Sequence, residues 1–382
     1  MDVNPIVLVY GHPDASTGLF FGGMSKDLKR HFRFHRPADL AADAKALARA
    51  NLVVIAREFL PFVRKGLLSL LVRLDIPFFW FSDDDLLSIK HEKKGASLRH
   101  AHAFRLLERH AKGYIGTSPN LMARFANFGV ERLALSPMPP DSVRTSPPPE
   151  DSAEFRVGMF GGDFRKQSLE EHVLPALARI SGERRVRLFV HAELNSQKLA
   201  SDTVVVPFER DLTRFLEHWQ ALRLDAVVHP YGSSANLPNK NPATLLLAAA
   251  IGAVPVVGEE PAFRGFTECD GVLKAERSIE SWHEALVRLT RPSEARRMFG
   301  LLEACLRSRF NAEANRDSFE QLVAIARASA AHRQAIVHLS DASIERMARR
   351  ARLRHGLVFL ALRLADAALR GKRPNATVNG PG

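Results

Sequence analysis

Short apolar runs recur through the first third of the chain and alternate with segments of helical periodicity. The runs, rich in Val, Ile and Phe, cover residues 5–10, 51–56, 76–82 and 113–117. The helix-like segments between them cover residues 23–31, 62–74 and 98–111. Strands that alternate with helices form a parallel sheet with helices on both faces. The first part of the chain therefore predicts a doubly wound α/β domain.

A proline-rich stretch separates this domain from a second run of the same alternation. Six prolines fall within residues 137–153, without apolar periodicity, and this composition favours an extended spacer. Beyond it, a second parallel sheet is predicted from apolar runs at 155–162, 186–192, 203–208, 225–231 and 253–259. From residue 278 onward the pattern becomes helical.

The predicted fold class is α/β, with two doubly wound Rossmann-like domains and a helical C-terminal extension. We expect an N-terminal domain over 1–145, a linker over 146–153, a second domain over 154–328, a basic helical extension over 329–370 and a disordered tail over 371–382.

The formal net charge of +12 is unevenly distributed along the chain. Residues 332–373 contain ten Lys and Arg against three Asp and Glu, and so carry seven of the twelve excess positive charges. Because the remainder is only mildly basic, we expect no nucleic-acid partner. Anionic lipid or a diphosphate is the expected partner of the basic residues.

The sequence favours a cytoplasmic location. Two cysteines, Cys269 and Cys305, are too few for a disulfide framework or a four-cysteine zinc site. The N-terminus has neither the basic region nor the cleavage site of a signal peptide. The longest apolar stretch, residues 356–369, is shorter than the roughly 20 residues of a membrane span, so no transmembrane helix is expected.

The most specific stretch of the sequence is residues 225–260. Its motifs are His229-Pro230-Tyr231, Lys240-Asn241-Pro242, Gly252 and Pro255-Val256-Val257. In this order and spacing they resemble the donor-binding region of GT-B glycosyltransferases, in the broad family-four-like group. Blocks at 76–89, 155–180 and 271–289 are similar to other parts of that family, and the resemblance covers roughly residues 5 to 325.

The resemblance implies transfer of a sugar from a nucleotide-diphosphate sugar to a glycan or lipid-linked acceptor, as in cell-surface polysaccharide biosynthesis. It implies no metal or other cofactor, because this fold type stabilises the leaving diphosphate with cationic side chains and helix N-termini. The donor-binding residues that it implies are Gly161, Gly162, Arg165, Lys166, His229, Tyr231, Asn239, Lys240 and Asn241.

One position departs from the family pattern. The glutamate that usually holds the donor ribose, five residues before the glycine that ends the helix, is replaced here by Leu247. A second acidic position is occupied by Asn239 or Lys240. The alternative function is therefore a catalytically inactive glycosyltransferase-like partner or a glycan-binding protein.

An acidic triplet, Asp83, Asp84 and Asp85, follows a strongly apolar predicted strand. In the GT-B interpretation it faces the interdomain cleft and contacts the acceptor, or it caps the following helix. An Asp-x-Asp in this setting is also the metal-binding feature of GT-A glycosyltransferases, although a GT-A chain would not begin a second doubly wound unit after residue 153. We take Asp84 as a candidate catalytic residue and place Asp83 and Asp85 on the acceptor side.

The loop after the first strand carries His12, which is a candidate general base. Gly22 and Gly23 are interpreted as opening the first helix and are placed on the acceptor side.

At the other end of the chain, the apolar side of residues 344–369 is expected to pack on the N-terminal domain. The arginines of this segment are also candidates to bind anionic lipid headgroups. Both expectations can hold if one face of the helix packs on the domain and another face binds the headgroups. Residues 341–370 are thus the expected contact of a peripheral protein with the inner membrane face.

Overall fold

The structure, a computed structural model, describes residues 7–89, 97–139, 147–148, 153–192, 194, 199, 203–332 and 339–371. Most of the predicted linker at 146–153 and, apart from Gly371, the predicted tail at 371–382 lie outside the described residues. The predicted domain limits stay predictions.

The N-terminal half builds a six-stranded parallel sheet with the order β2-β1-β3-β4-β5-β6. Its strands are β1 (Val7–Tyr10), β2 (Phe32–His35), β3 (Leu52–Ala56), β4 (Phe78–Ser82), β5 (Gly113–Gly116) and β6 (Glu131–Ala134). Its helices are α1 (Ala15–Phe21), α2 (Lys26–Lys29), α3 (Leu40–Ala48), α4 (Phe59–Arg64), α5 (Leu67–Arg73), α6 (Leu98–His110) and α7 (Pro119–Arg124). The central strands β1, β3, β4 and β5 are buried along their whole length, as expected where helices cover both faces.

The second half builds another six-stranded parallel sheet with the order β12-β11-β10-β7-β8-β9. Its strands are β7 (Glu154–Met159), β8 (Arg185–His191), β9 (Val204–Val206), β10 (Ala226–His229), β11 (Val254–Gly258) and β12 (Leu273–Ala275). Its helices are α8 (Leu174–Ser181), α9 (Leu212–Ala221), α10 (Ala243–Ala250), α11 (Ile279–Leu289) and α12 (Pro292–Arg309). The predicted fold class, two doubly wound parallel sheets with a helical C-terminal segment, is confirmed.

The last two helices are α13 (Arg316–His332) and α14 (Asp341–Gly371), and both pack against the N-terminal half. On α13, the ring of Phe319 contacts the rings of Phe21 and Phe32. On α14, Ile344, Ala348 and Phe359 are buried in the apolar cluster of the N-terminal helices. Among the described residues, none of the helices has both the length and the apolar character that a membrane span requires.

The structure differs from the sequence prediction at the first helix. Gly22 and Gly23 do not open it, because α1 begins at Ala15 and Gly22 follows its last residue. The Asp14 side chain caps α1 by accepting a hydrogen bond from the Thr17 amide at 3.0 Å. The two glycines therefore lie at the far end of α1, where a Cβ on Gly23 would stand 2.7 Å from the Pro139 carbonyl oxygen.

Candidate active site between the two sheets

Two neighbouring strands of the N-terminal sheet end in charged residues. Arg57 follows β3 and Asp83 follows β4 by one residue, and the carboxyl ends of parallel strands meet at the same sheet edge. Arg57 Nη1 lies 2.5 Å from Asp83 Oδ1, and Arg57 Nη2 donates to Asp84 Oδ2 at 3.2 Å. Ser16, at the start of α1, donates to Asp83 Oδ2 at 2.7 Å and accepts from Arg57. The backbone of Arg57 is left-handed, with φ of 59°.

The second half of the molecule completes this cluster from the loop between β10 and α10. Lys240 Nζ donates to Asp84 Oδ1 at 2.7 Å. Asn236 is fully buried; its amide donates to the same oxygen at 2.7 Å, and its carbonyl accepts from the Asp85 amide at 2.8 Å. We call Arg57, Asp83, Asp84, Asn236 and Lys240 the interdomain junction. Candidate residues from both halves of the sequence thus meet at one place.

The two carboxylates of the junction have different electrostatic environments. Burial raises the pKa of Asp83, and the neighbouring Asp84 charge adds to this effect against the pull of Arg57. Burial also opposes ionisation of Asp84, but Lys240 and Arg57 outweigh it and lower its pKa. The pKa of Arg57 is raised because Asp83 and Asp84 outweigh its own burial. Asp84 is therefore the carboxylate that both halves of the molecule hold in its charged form.

Asp85 performs the capping role that the sequence left open for the triplet. It precedes a helical turn at 86–89, and its Oδ1 accepts from the amides of Leu87 and Ser88 at 3.2 and 3.1 Å. Arg124 donates to its other oxygen at 3.3 Å. The acceptor-side role of Asp85 stays a prediction.

The glycine loop after β7, residues 160–165, adjoins the loop after β10. Phe164 O accepts hydrogen bonds from the Ser233 amide at 2.9 Å and from the Ser233 hydroxyl at 3.1 Å. Gly161 has φ of 130°, a backbone conformation that favours glycine. A Cβ at this position would stand 3.3 Å from Cδ of Arg165, so the glycine backbone lies directly beside the Arg165 side chain. The two predicted donor loops are therefore neighbours.

The guanidinium of Arg165 is buried beneath these loops. It makes two hydrogen bonds with Glu260, at 2.6 and 3.0 Å, and a third with the Pro230 carbonyl. Its Nε, also buried, has no hydrogen-bond partner among the described residues. Glu260 thus neutralises the charge that was predicted to face a diphosphate, and donor binding by Arg165 stays a prediction. Lys166 is more exposed and lies 3.9 Å from Glu170.

His229 is the last residue of β10 and lies near two cations, Arg165 of the glycine loop and Lys240 of the loop after β10. Burial lowers its pKa well below the usual value, and Arg165 and Lys240 lower it further, so the ring is neutral at pH 7. Thr244 Oγ1 lies 3.4 Å from its Nδ1, and the ring packs edge-on against Phe263. His229 is therefore positioned as a neutral hydrogen-bonding group.

The remaining predicted donor residues occupy different surroundings. Tyr231 donates its hydroxyl hydrogen bond to the Ala275 carbonyl at 3.0 Å, away from the junction. Asn239 approaches Asn236 Oδ1 at 3.4 Å, and Asn241 approaches Thr117 Oγ1 at 3.4 Å. Asn239 and Asn241 therefore belong to the edge where the two halves meet, while Tyr231 supports β12.

His12 lies at a second contact between the two halves. The carbonyl of the next residue, Pro13, accepts a hydrogen bond from the Leu212 amide at 3.0 Å. Burial lowers the pKa of His12, with Arg210 as the next cause, against the smaller opposing effects of Glu58 and Asp14. His12 is neutral at pH 7, as a general base requires.

Three residues of this region carry no distinguishing signal in the sequence. In the sequence, Arg57 cannot be distinguished from a solvated arginine after a strand. Its role becomes visible only in the structure, where β3 pairs with β4. Asn236 lies in a polar loop without a distinctive motif, and Glu260 pairs with a residue 95 positions away. Within the described residues, no group of three His, Cys, Asp or Glu side chains is placed to hold a metal ion. A metal-independent reaction stays a prediction.

Neither a protein-family model nor a curated protein sequence matches this chain. Solved structures do match. One is TarM, at a TM-score of 0.50 and 12% identity over 74% of this chain, which spans 58% of the length of TarM. Another is an alpha-glucosyltransferase in complex with UDP and a 13-mer DNA containing a HMU base, at a TM-score of 0.56 and 11% identity, covering 83% of this chain and 98% of that one. A second structure of that complex gives a TM-score of 0.55 at 12% identity, over 84% of this chain.

At such low identity the likeness establishes the fold alone. The fold is that of the GT-B glycosyltransferases, as the sequence resemblance implied. The GT-A alternative is wrong, because a second six-stranded parallel sheet follows the first.

Proposed function

We propose that this protein is a glycosyltransferase that uses a nucleotide-diphosphate sugar and a glycan or lipid-linked acceptor. The observation that carries the proposal is the interdomain junction, where Lys240 from the second half meets Arg57 and Asp84 from the first. Two cations at the seam of a GT-B fold suit a diphosphate leaving group. The alpha-glucosyltransferase with this fold holds UDP, which supports a donor of the same class.

The donor diphosphate would bind beside the glycine loop and Lys240. Gly161 and Gly162 allow phosphate to approach the backbone closely, and the buried Arg165 Nε beneath Gly161 is a donor without a partner among the described residues. Lys240 donates to Asp84 in this structure, so phosphate would compete with Asp84 for this cation. Donor binding is thereby coupled to the contact between the two halves.

The acceptor hydroxyl would enter from the N-terminal half. Its oxygen forms the new bond to the anomeric carbon, the bond from that carbon to the diphosphate breaks, and the nucleoside diphosphate leaves. The hydroxyl proton goes to a base, and neutral His12 is the residue that we assign to this role. Asp84 would then be free of Lys240 and available to orient the acceptor.

The alternative is a glycosyltransferase-like protein without turnover, and Leu247 motivates it. Leu247 lies on α10, which is entirely apolar apart from Thr244, and packs against the core. No carboxylate on α10 is therefore available to hold a donor ribose. Binding of a nucleotide sugar without transfer or hydrolysis would favour this alternative.

The direct test uses the purified full chain and a panel of nucleotide-diphosphate sugars. Heat of binding identifies the donor, and release of nucleoside diphosphate in the presence of glycan or lipid-linked acceptors measures turnover. Binding of one donor with acceptor-dependent release supports the proposal. Absence of binding to every donor and to every free nucleoside diphosphate would count against it.

A lipid-linked acceptor would bring the protein to the cytoplasmic face of a membrane. We propose that residues 341–370 make this peripheral contact, within a role in cell-surface polysaccharide biosynthesis. Nucleic acid is not a proposed partner, because most of the basic excess lies at the C-terminus and the remainder of the chain is only mildly basic.

A further inference from the structure

Helix α14 exposes a continuous stripe of leucines. Leu353 and Leu357 are each 71% exposed, Leu360 is 53% exposed and Leu364 is 63% exposed. With 3.6 residues per turn, these four side chains fall within an arc of about 60° and span about 17 Å along the helix. Single exposed leucines are ordinary, but a contiguous apolar stripe marks an interaction surface.

The stripe belongs to a helix that is held firmly on the N-terminal half. Asp366 accepts from the Leu98 amide at 2.9 Å and from Ser97 at 3.1 Å, and so caps α6. His355 Nε2 lies 2.6 Å from Ser69 Oγ. A Cβ on Gly66 would stand 2.6 Å from the Ala351 carbonyl carbon, so the backbones of α14 and α5 are in close contact. The leucines are therefore presented by a fixed surface, with the opposite face of α14 already used for packing.

Arginines flank the stripe on both sides. Arg352 and Arg354 are two residues apart, so they project to opposite sides of the leucines, and Arg350 lies one turn before Arg354. Within the part of the chain that the structure describes, Arg350, Arg352, Arg354 and Arg363 make no ion pair. The acidic residues of α14 face other partners: Asp341 and Glu345 pair with Lys45, and Asp366 caps α6.

An apolar groove runs beside the stripe. It has a volume of about 660 Å³ and is lined by Leu40, Leu353, Leu357 and Leu360, with Arg64 and Arg352 among its polar lining residues. Residues 38–40 of its wall follow β2, so the groove lies towards the carboxyl edge of the sheet that also carries Arg57 and Asp83.

We propose that the stripe of Leu353, Leu357, Leu360 and Leu364 docks on an anionic lipid bilayer, with α14 lying in the plane of the interface. Leucines enter the boundary between headgroups and acyl chains, while Arg350, Arg352 and Arg354 meet lipid phosphates. The charge pattern selects this occupant, because a second copy of the face would bring the same unpaired arginines together. This proposal specifies the membrane contact of the proposed function, and its biological reason rests on that function. Binding to vesicles can be measured whether or not the protein transfers a sugar.

The test compares binding of the full chain to vesicles of phosphatidylcholine alone and of phosphatidylcholine with phosphatidylglycerol. We expect binding to the anionic vesicles and much weaker binding to the neutral ones. Leu357→Ser with Leu360→Ser should weaken binding at least tenfold, because each exposed leucine loses its apolar burial in the bilayer. Arg350→Gln with Arg354→Gln should weaken it about thirtyfold and reduce its salt dependence.

A matched control is Val130→Ser, which alters an apolar side chain that is 81% exposed on the N-terminal half, outside α14. This variant should bind anionic vesicles like the wild type. All variants change exposed residues, so their thermal unfolding should match that of the wild type. A failure of the wild type to bind, or a leucine variant that binds as well as Val130→Ser, would overturn the proposal.

Two other occupants give their own results. If the wild type is dimeric, the leucine variant monomeric and neither binds vesicles, the stripe covers a second copy and the proposal is wrong. If a DNA duplex binds α14 more tightly than anionic vesicles do, with no effect of the leucine changes, the arginines serve nucleic acid and the proposal is again wrong. Donor binding is measured on the same variants: its loss would concern the proposed enzyme, whereas retained donor binding without vesicle binding would overturn only the membrane inference.

Discussion

Lys240 Nζ and Asp84 Oδ1 lie 2.7 Å apart, although 156 residues and two different sheets separate them. Asp84 also accepts from Arg57 and Asn236, so one buried carboxylate joins two strand ends of the first half to a loop of the second. In the proposed function this pair is the resting partner that a donor phosphate displaces. Binding of a donor would therefore weaken one of the contacts that join the two halves.

Asp84→Asn should tighten the binding of free UDP or of another nucleoside diphosphate severalfold. The change removes the anion that competes for Lys240 and leaves both Lys240 and Arg57 with more positive charge to offer. Turnover should fall, because Asp84 is the proposed orienting residue. Calorimetric titration measures the affinity, and an unchanged or weaker affinity would show that Asp84 and phosphate do not compete.

His12→Gln should remove the acidic limb of the pH profile of kcat/KM. A general base must be neutral, so activity falls as the pH drops through its pKa. Burial and Arg210 lower the pKa of His12, which places the limb below pH ~6.5, the ordinary value for histidine. The variant should lose roughly 10²- to 10⁴-fold in rate. A variant that keeps the same limb would assign it to another group.

Gly66→Ala should destabilise the protein and loosen α14. Gly66 has φ of 77°, and the added Cβ would stand 2.6 Å from backbone atoms of Ala351 and Arg352. Gly356→Ala is the matched control, because nothing lies within 4 Å of its Cβ and alanine favours a helix by about 1 kcal/mol over glycine. Thermal unfolding and protease cleavage within α14 should distinguish the two. Equal behaviour would contradict the close packing of α14 on α5.

Asp225→Asn should flatten the pH dependence of stability between about pH 4 and 6. Burial raises the pKa of Asp225 to about 6, although its carboxylate accepts from the Arg156 amide at 2.8 Å. Because the folded-state pKa exceeds the unfolded one, the contribution to stability is full below the unfolded pKa and is lost as the pH rises through 6. The loss is about 3 kcal/mol in size. Urea unfolding at several pH values measures it, and an identical pH dependence in the variant would refute the assignment.

The sequence predicted the central strands because buried parallel strands are continuous apolar runs, as in β3 and β4. It missed β2, β6 and β12, which lie at sheet edges, are three or four residues long and, except for β12, are largely exposed. It placed Gly22 at the wrong end of α1 because the cap at Asp14 was not recognised. These errors concern short or locally determined features, whereas the alternation that defines the fold persists along the chain.

The candidate site was only partly predictable. Asp84 follows a strand, Lys240 precedes a helix, and both stand out in sequence, but their direct contact depends on how the two sheets face each other. The pairing of Arg165 with Glu260 also depends on tertiary structure, and it changes a predicted phosphate ligand into a buried ion pair. No pattern within either segment encodes such a contact.

The proposed function requires that Lys240 binds the diphosphate of a sugar donor. Calorimetric titration of UDP and the other nucleoside diphosphates into the wild type, Lys240→Met and Lys112→Met tests it most directly. Lys112 is an exposed lysine that precedes β5, at the opposite edge of the N-terminal sheet from the junction. We expect Lys240→Met to weaken binding at least tenfold, the loss of one hydrogen bond to a charged group, and Lys112→Met to have no effect. Equal affinity in all three proteins, or no binding by the wild type, would contradict it.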